Sequence, residues 1–124
     1  GQPHYRSSWE HTTMRMLDNN PAILKWASES IHINYKNPFT NKATIYVPDF
    51  FVLYMDANNK QHAELWEIKP TKETTLEAAG RSKKAQAAAI LNQFKWQAAQ
   101  AYCKANKLNF RIITENDLFH QGRR

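Results

Sequence analysis

Apolar and polar positions alternate most clearly in the middle of the chain. There, Tyr46-Val47-Pro48-Asp49-Phe50-Phe51-Val52-Leu53-Tyr54 and His62-Ala63-Glu64-Leu65-Trp66-Glu67-Ile68-Lys69-Pro70 flank the turn-rich Asp56-Ala57-Asn58-Asn59-Lys60. The pattern predicts a β-hairpin with both strands largely buried. Upstream, Ile31, Ile33 and Tyr35 alternate with Ser30, His32 and Asn34 over 30–35, a half-buried strand, and Asn37-Pro38-Phe39-Thr40-Asn41 is a turn into the hairpin. Downstream, Leu108, Phe110 and Ile112 alternate with Asn109 and Arg111, which predicts one more strand.

The rest of the chain has helical spacing. Trp9, Thr13, Met16 and Leu17 form one stripe of a helix that opens with a Ser7/Glu10 capping box and stops at Asn20-Pro21. Ala22 to Ala27 reads as a short helical turn after Pro21. Arg81 to Asn106, dense in Ala, Gln, Lys and Leu, is the longest helix and covers the sheet, and Thr114-Glu115-Asn116-Asp117 begins a last short helix carrying Leu118 and Phe119. Thr71 to Gly80 is expected to be a polar, mobile connection, and residues 1–6 and 120–124 a loose arm and tail. The order helix, three strands, long helix, strand, short helix predicts an α/β (α+β) fold. In its mixed four-stranded sheet the hairpin pairs antiparallel and the long helix is the crossover to the last strand.

Length and composition change this picture little: 124 residues with 42% hydrophobic and 23% charged content suit a single globular domain spanning 1–124. No apolar run is long enough for a membrane span, no secretory pattern opens the chain, and the single cysteine, Cys103, has no partner for an internal disulfide, so a reducing, intracellular setting is expected. Charge matters more. Seventeen Lys and Arg against eleven Asp and Glu give +6 and a pI near 9.6, the profile of a polyanion binder, although net positive charge also serves solubility.

The hairpin also carries the candidate chemistry. By strand alternation Asp49 shares a face with Val47, Phe51 and Leu53, and Glu67 and Lys69 project together from one face of the second strand. A carboxylate in such an apolar run costs several kcal/mol unless it is paired or binds a metal, so the trio points either to a divalent cation or to an ion pair in a solvated groove. Glu10 has two readings as well, a helix cap or a third carboxylate aimed at the same place. His32 and His62 lack a partner at ligand spacing and read as ordinary surface histidines.

Pro48-Asp49, then Glu67-Ile68-Lys69, with Glu10 on the preceding helix, resembles the PD-(D/E)xK nuclease superfamily and its αβββαβ core. The similarity extends over nearly the whole chain to the head-completion nucleases of T-even-like tailed phages. It runs through Arg6-Ser7-Ser8-Trp9-Glu10, Asp18-Asn19-Asn20-Pro21, Leu24-Lys25-Trp26, Tyr46-Val47-Pro48-Asp49-Phe50, Glu67-Ile68-Lys69-Pro70, Lys95-Trp96, Ala98-Ala99 and Tyr102-Cys103. A related outline occurs in endonuclease subunits of heteromeric transposases. The Gln-x-x-x-Tyr signature of some exonuclease branches is not reproduced, because Gln97 and Tyr102 are five apart and Gln93 is followed by Gln97.

The resemblance implies metal-dependent hydrolysis of DNA phosphodiester bonds, on DNA ends during phage head completion after packaging, with 5′-phosphate and 3′-hydroxyl products. It assigns Mg²⁺, replaceable by Mn²⁺, to Asp49, Glu67, the Ile68 carbonyl and Glu10, and makes Lys69 the residue that positions or deprotonates the attacking water. Gln93 and Lys95 on the long helix are candidate contacts to substrate phosphate, with packing and solvation as the alternative reading. DNA, phage head or portal proteins and a second copy of the chain are the implied partners, in the host cytoplasm or the virion. Double-strand cutting by one small site favours a homodimer, whereas nicking needs only a monomer. Two alternatives stay open: a non-catalytic DNA-binding or capsid-assembly module on the same fold, and a transposase or junction-resolving nuclease subunit.

Overall fold

The computed structural model describes residues 4–119. Helix α1 (His4–Asn19) leads into β1 (Ile23–Ser28), then a small hairpin of β2 (Ile33–Lys36) and β3 (Ala43–Tyr46), then β4 (Phe50–Met55) and β5 (Gln61–Ile68). A 3₁₀ turn (Thr71–Glu73) and the short α2 (Leu76–Ala79) precede the long α3 (Lys83–Ala105), β6 (Asn109–Ile113) and α4 (Glu115–Phe119). The main sheet is mixed, ordered β1-β4-β5-β6, with β1, β4 and β5 antiparallel and β6 parallel to β5, as expected of strands joined by a helical crossover. Strands β2 and β3 form a separate two-stranded sheet. This is an α+β architecture of the restriction-endonuclease-like kind, with helices on both faces of the sheet.

Alternation sorts the side chains into two cores. Phe50, Val52, Ile68 and Ile113 meet Leu17 of α1 and Leu118 of α4 on one face. On the other, Leu65 meets Trp96, Ala99 and Cys103 of α3 together with Ile33 and Tyr46 of the small hairpin. Burial of each of the larger of these side chains is worth about 1.5–3 kcal/mol, enough to hold the hairpin against the main sheet without any shared strand pairing.

Several expectations are corrected. The strand read as continuous over Tyr46–Tyr54 is broken at Val47-Pro48-Asp49: β3 ends at Tyr46 and β4 begins at Phe50, in different sheets. Pro48, fully buried here, has no N–H to donate to a ladder. The first strand of the main sheet is therefore 23–28 and not 30–35, and the helical turn expected over Ala22–Ala27 is strand β1, paired with β4. A register shift between Ile23 and Lys25 spoils the period of two that would have revealed it.

Helix α1 already runs from His4, so Ser7 lies within it and not at its start, where the capping box had put it. The arm expected over 1–6 accordingly shrinks; residues 1–3, like the tail 120–124, lie outside the described residues. The connection 71–80 is structured: Asn92 and Gln93 of α3 donate to the carbonyls of Glu73 (3.0 Å) and Thr74 (2.7 Å), and Glu115 accepts from the Thr71 N–H (2.9 Å). The remaining elements stand where the pattern put them. No described helix is long and apolar enough to cross a membrane.

Candidate active site

The Pro48 break brings the candidate carboxylates together. Asp49 leaves the end of β3 just before β4 begins, and its Oδ2 accepts a 2.7 Å hydrogen bond from the Ile68 backbone N–H at the end of β5. The β4–β5 ladder stops at Phe50 and Trp66, so that N–H lies beyond the last strand partner and the carboxylate takes its place. The N–H and C=O of one strand residue point to the same side, which turns the Ile68 carbonyl toward β4 and Asp49 as well. The neighbouring Lys69 N–H points the other way and donates to Ile113 of β6.

Glu67 projects from the opposite face of β5 to the Ile68 side chain, over the α3 side with Leu65. Asp49 and Glu67 are both 2% exposed. Glu67 Oε1 accepts a 2.7 Å hydrogen bond from the Tyr46 hydroxyl, and Glu67 Oε2 lies 3.5 Å from Lys69 Nζ. The two carboxylates act on one phenol: burial is the main reason the Tyr46 hydroxyl holds its proton far above the ordinary phenol range. The charge of Glu67, its hydrogen bond and the charge of Asp49 add to the effect. The nearby Trp96 indole works in the opposite direction, although its Nε1–H meets no acceptor with hydrogen-bond geometry. Lys95 Nζ stands 5.8 Å from the centre of the Tyr46 ring, a cation over the aromatic face.

Asp49, Glu67, Ile68 and Lys69 are thus gathered at the ends of two strands, with Lys95 beside them through Tyr46. Glu10 is half-buried on α1, and among the described residues no group of three His, Cys, Asp or Glu side chains forms a metal cage. Gln93 is engaged with the Thr74 carbonyl, next to the buried Asn92 that holds Glu73. Tyr46 is the site residue that sequence reading missed. Its signal was weak but real, since a tyrosine in an apolar run near an acidic motif needs a partner for its hydroxyl once buried. Of the histidines, His32 is exposed, whereas His62 bonds Asp56 at 2.7 Å and stacks on Tyr54, away from the carboxylates.

The donor set is all oxygen, two buried carboxylates and a strand-end carbonyl, with one ammonium 3.5 Å from one of the carboxylates. Hard oxygen donors of this kind suit Mg²⁺, which usually takes one or two protein carboxylates and fills its other positions with water and phosphate oxygens. Residues that could hold a small divalent cation here are Asp49, Glu67 and Ile68 through its carbonyl, with the Lys69 side chain beside Glu67.

The opposite face of β5 carries a different network. Glu64, 3% exposed, accepts from Arg111 Nε and Nη2 (both 3.1 Å), Trp66 Nε1 (2.8 Å) and Tyr54 Oη (2.9 Å). Burial works to raise the Glu64 pKa, but these bonds and the guanidinium outweigh it, so the carboxyl is held below its ordinary value. This acid is spoken for structurally, on the face away from Asp49 and Glu67.

Two comparisons with known proteins bear on the family. The family model described as the TnsA-like endonuclease N-terminal domain matches residues 20–115, from the start of β1 to the start of α4. The head completion nuclease of Enterobacteria phage T4 is 34% identical over 123 residues, spanning 92% of this chain and 79% of that protein. The chain belongs to the TnsA-like endonuclease family and is related to the phage head-completion nucleases.

Proposed function

We propose that this chain is a divalent-metal-dependent deoxyribonuclease that hydrolyses phosphodiester bonds, phage-encoded and acting on DNA ends at head completion. The observation that carries the reading is the pair of buried acids at adjoining strand ends, Asp49 bonded to the Ile68 N–H and Glu67 bonded to the Tyr46 hydroxyl, with Lys69 3.5 Å from Glu67. Relatedness to endonucleases and the +6 charge point the same way.

Each residue has a part. Asp49, Glu67 and the Ile68 carbonyl would hold Mg²⁺ or Mn²⁺, and such an ion lowers the pKa of water and polarises a phosphate oxygen. The Ile68 N–H fixes the Asp49 carboxylate, and Tyr46, kept protonated, fixes Glu67, so neither acid has to be oriented when substrate arrives. Lys69, anchored through its backbone N–H to Ile113, presents its ammonium beside Glu67, where it orients the attacking water and steadies the extra negative charge on phosphorus. Lys95 adds positive potential on the α3 side, and Glu10 on α1 is the further acid that the family resemblance would add to the ion's ligands. Gln93, through Thr74, steadies the segment that follows Lys69-Pro70.

The test is nicking of supercoiled DNA and digestion of linear DNA by the purified chain, with Mg²⁺, with Mn²⁺ and with EDTA. Cutting that needs the ion and is abolished by Asp49→Asn upholds the reading. Binding without cutting under every condition would leave a contact-only module in its place.

A further inference from the structure

The β2–β3 hairpin joins the site at one end and reaches solvent at the other. At its base Ile33 and Tyr46 are each 4% exposed, and Tyr46 bonds Glu67 at 2.7 Å. At its tip Phe39 is 57% exposed, the highest value among the large exposed apolar side chains of the described residues. A lone exposed phenyl is ordinary in itself. This one is held out by a rigid turn: Asn37 Oδ1 accepts from the N–H groups of Phe39 (2.8 Å) and Thr40 (3.2 Å), the Asn37 N–H donates to Lys42 (2.9 Å), and the Asn41 N–H donates to Asn37 (2.8 Å). Pro38 restricts φ just before Phe39, and Asn41 takes the left-handed conformation (φ 61°) that an asparagine tolerates.

Charge and reach identify the occupant. From Ser30 to Pro48 the chain contains Lys36 and Lys42, both exposed at the ends of the turn, and no Asp or Glu. That is complementary to a polyanion and not to an acidic-and-basic protein surface. Phe39 lies seven positions before Tyr46, so the tip is at most about 25 Å from the site, roughly seven base-pair steps along a duplex at about 3.4 Å each. A preorganised aromatic between two lysines, within reach of a hydrolytic centre, matches the side chains that stack on exposed bases or enter an opened base step.

We propose that Phe39 is a base-stacking wedge through which the enzyme selects DNA carrying an opened base step near the scissile phosphate, with Lys36 and Lys42 on the flanking phosphates. This rests on the DNA-hydrolase reading of the Asp49–Glu67 site and adds the substrate feature which that reading lacks. Fully paired DNA offers the phenyl nothing to stack on until a step is unstacked; a mismatch, nick or frayed end offers it directly.

The experiment compares wild type, Phe39→Ala and Phe39→Trp on two relaxed, covalently closed circular duplexes of one sequence, one fully paired and one with a three-nucleotide mismatch. A second arm, without divalent cation, follows a 2-aminopurine placed in the mismatch. Wild type is expected to cut the mismatched duplex about tenfold faster than the paired one and to quench the 2-aminopurine. Phe39→Ala should bring that ratio close to one and lose the quenching; Phe39→Trp should keep both. An unchanged ratio in Phe39→Ala, or an equal loss on both duplexes, overturns the wedge. If wild type cuts neither duplex, the hydrolase reading falls separately, and the cation-free arm still decides whether Phe39 stacks on the exposed base.

Discussion

The Tyr46 hydroxyl donates a 2.7 Å hydrogen bond to Glu67 Oε1, linking the last residue of the small hairpin to an acid on the main sheet. The hairpin shares no ladder with the main sheet, and this buried bond is a polar tie between them. Tyr46→Phe keeps the ring and its packing but leaves Glu67 short of a donor. Losing a hydrogen bond to a charged group should cost about 1.5–3 kcal/mol of stability. Urea unfolding reads that loss, and calorimetric titration with Mn²⁺ should show weaker binding than in the wild type. Full retention of both would mean that the phenol does not orient the carboxylate.

Asp49→Asn and Glu67→Gln are close isosteres that keep an acceptor for the Ile68 N–H and the Tyr46 hydroxyl. Each should abolish cleavage while changing the melting temperature of the metal-free protein by no more than about 5 °C. The rise in melting temperature on adding Mg²⁺ or Mn²⁺, expected of wild type because the ion binds only the folded site, should disappear in both variants. A metal-induced rise that survives in Glu67→Gln would move the cation elsewhere.

Lys69 sits 3.5 Å from Glu67 and is 13% exposed at its side chain, so its ammonium is held beside a buried carboxylate and not on an open surface. Lys69→Ala should lower the cleavage rate about 10²–10⁴-fold, the usual contribution of a positioned proton-transfer group. DNA affinity measured in EDTA should fall far less. A parallel collapse of affinity would make Lys69 a simple phosphate anchor.

Acid should weaken the fold through Glu64. Its carboxyl is held below the ordinary value in the folded state, so the stabilisation it supplies is complete above the unfolded-state pKa, about 4.3. It is lost as the pH falls through the lower folded value, because the unfolded chain then binds the proton more readily. Glu64→Gln should therefore be less stable than wild type at pH 7, by about 1–3 kcal/mol, and the gap should narrow toward pH 3. Denaturant midpoints across that range measure it directly.

DNA affinity should fall steeply with salt. With a net charge of +6, phosphate contacts release counterions, and log K should decline linearly with log salt concentration. Lys36→Ala combined with Lys42→Ala should flatten that slope by about two phosphate contacts. Filter binding or anisotropy at several salt concentrations gives the slope, and an affinity independent of salt would contradict phosphate tracking.

Much of this protein was legible along the chain. The period of two placed Glu67, on β5, and Lys69, just past its end, on one face, and helical spacing in an Ala-rich run placed the crossover α3 that makes β6 parallel to β5. These are local regularities, and side-chain direction follows from them without knowledge of the rest of the fold. Strand β1 was not legible: a register shift hides its alternation, and its pairing partner β4 lies more than twenty residues away.

What only the tertiary structure decided is how the pieces meet at the site. By itself the sequence determined which residue types lie on which side of β5 and that Asp49, Glu67 and Lys69 were the charged members of apolar runs. It did not determine that Pro48 would divide the first strand between two sheets, swinging Tyr46 onto Glu67 while Asp49 turns to the Ile68 amide. Those bonds join residues 21 and 19 positions apart, so they depend on two sheets packing against the same helix. Packing of that kind is a property of the assembled core and leaves no period in the chain.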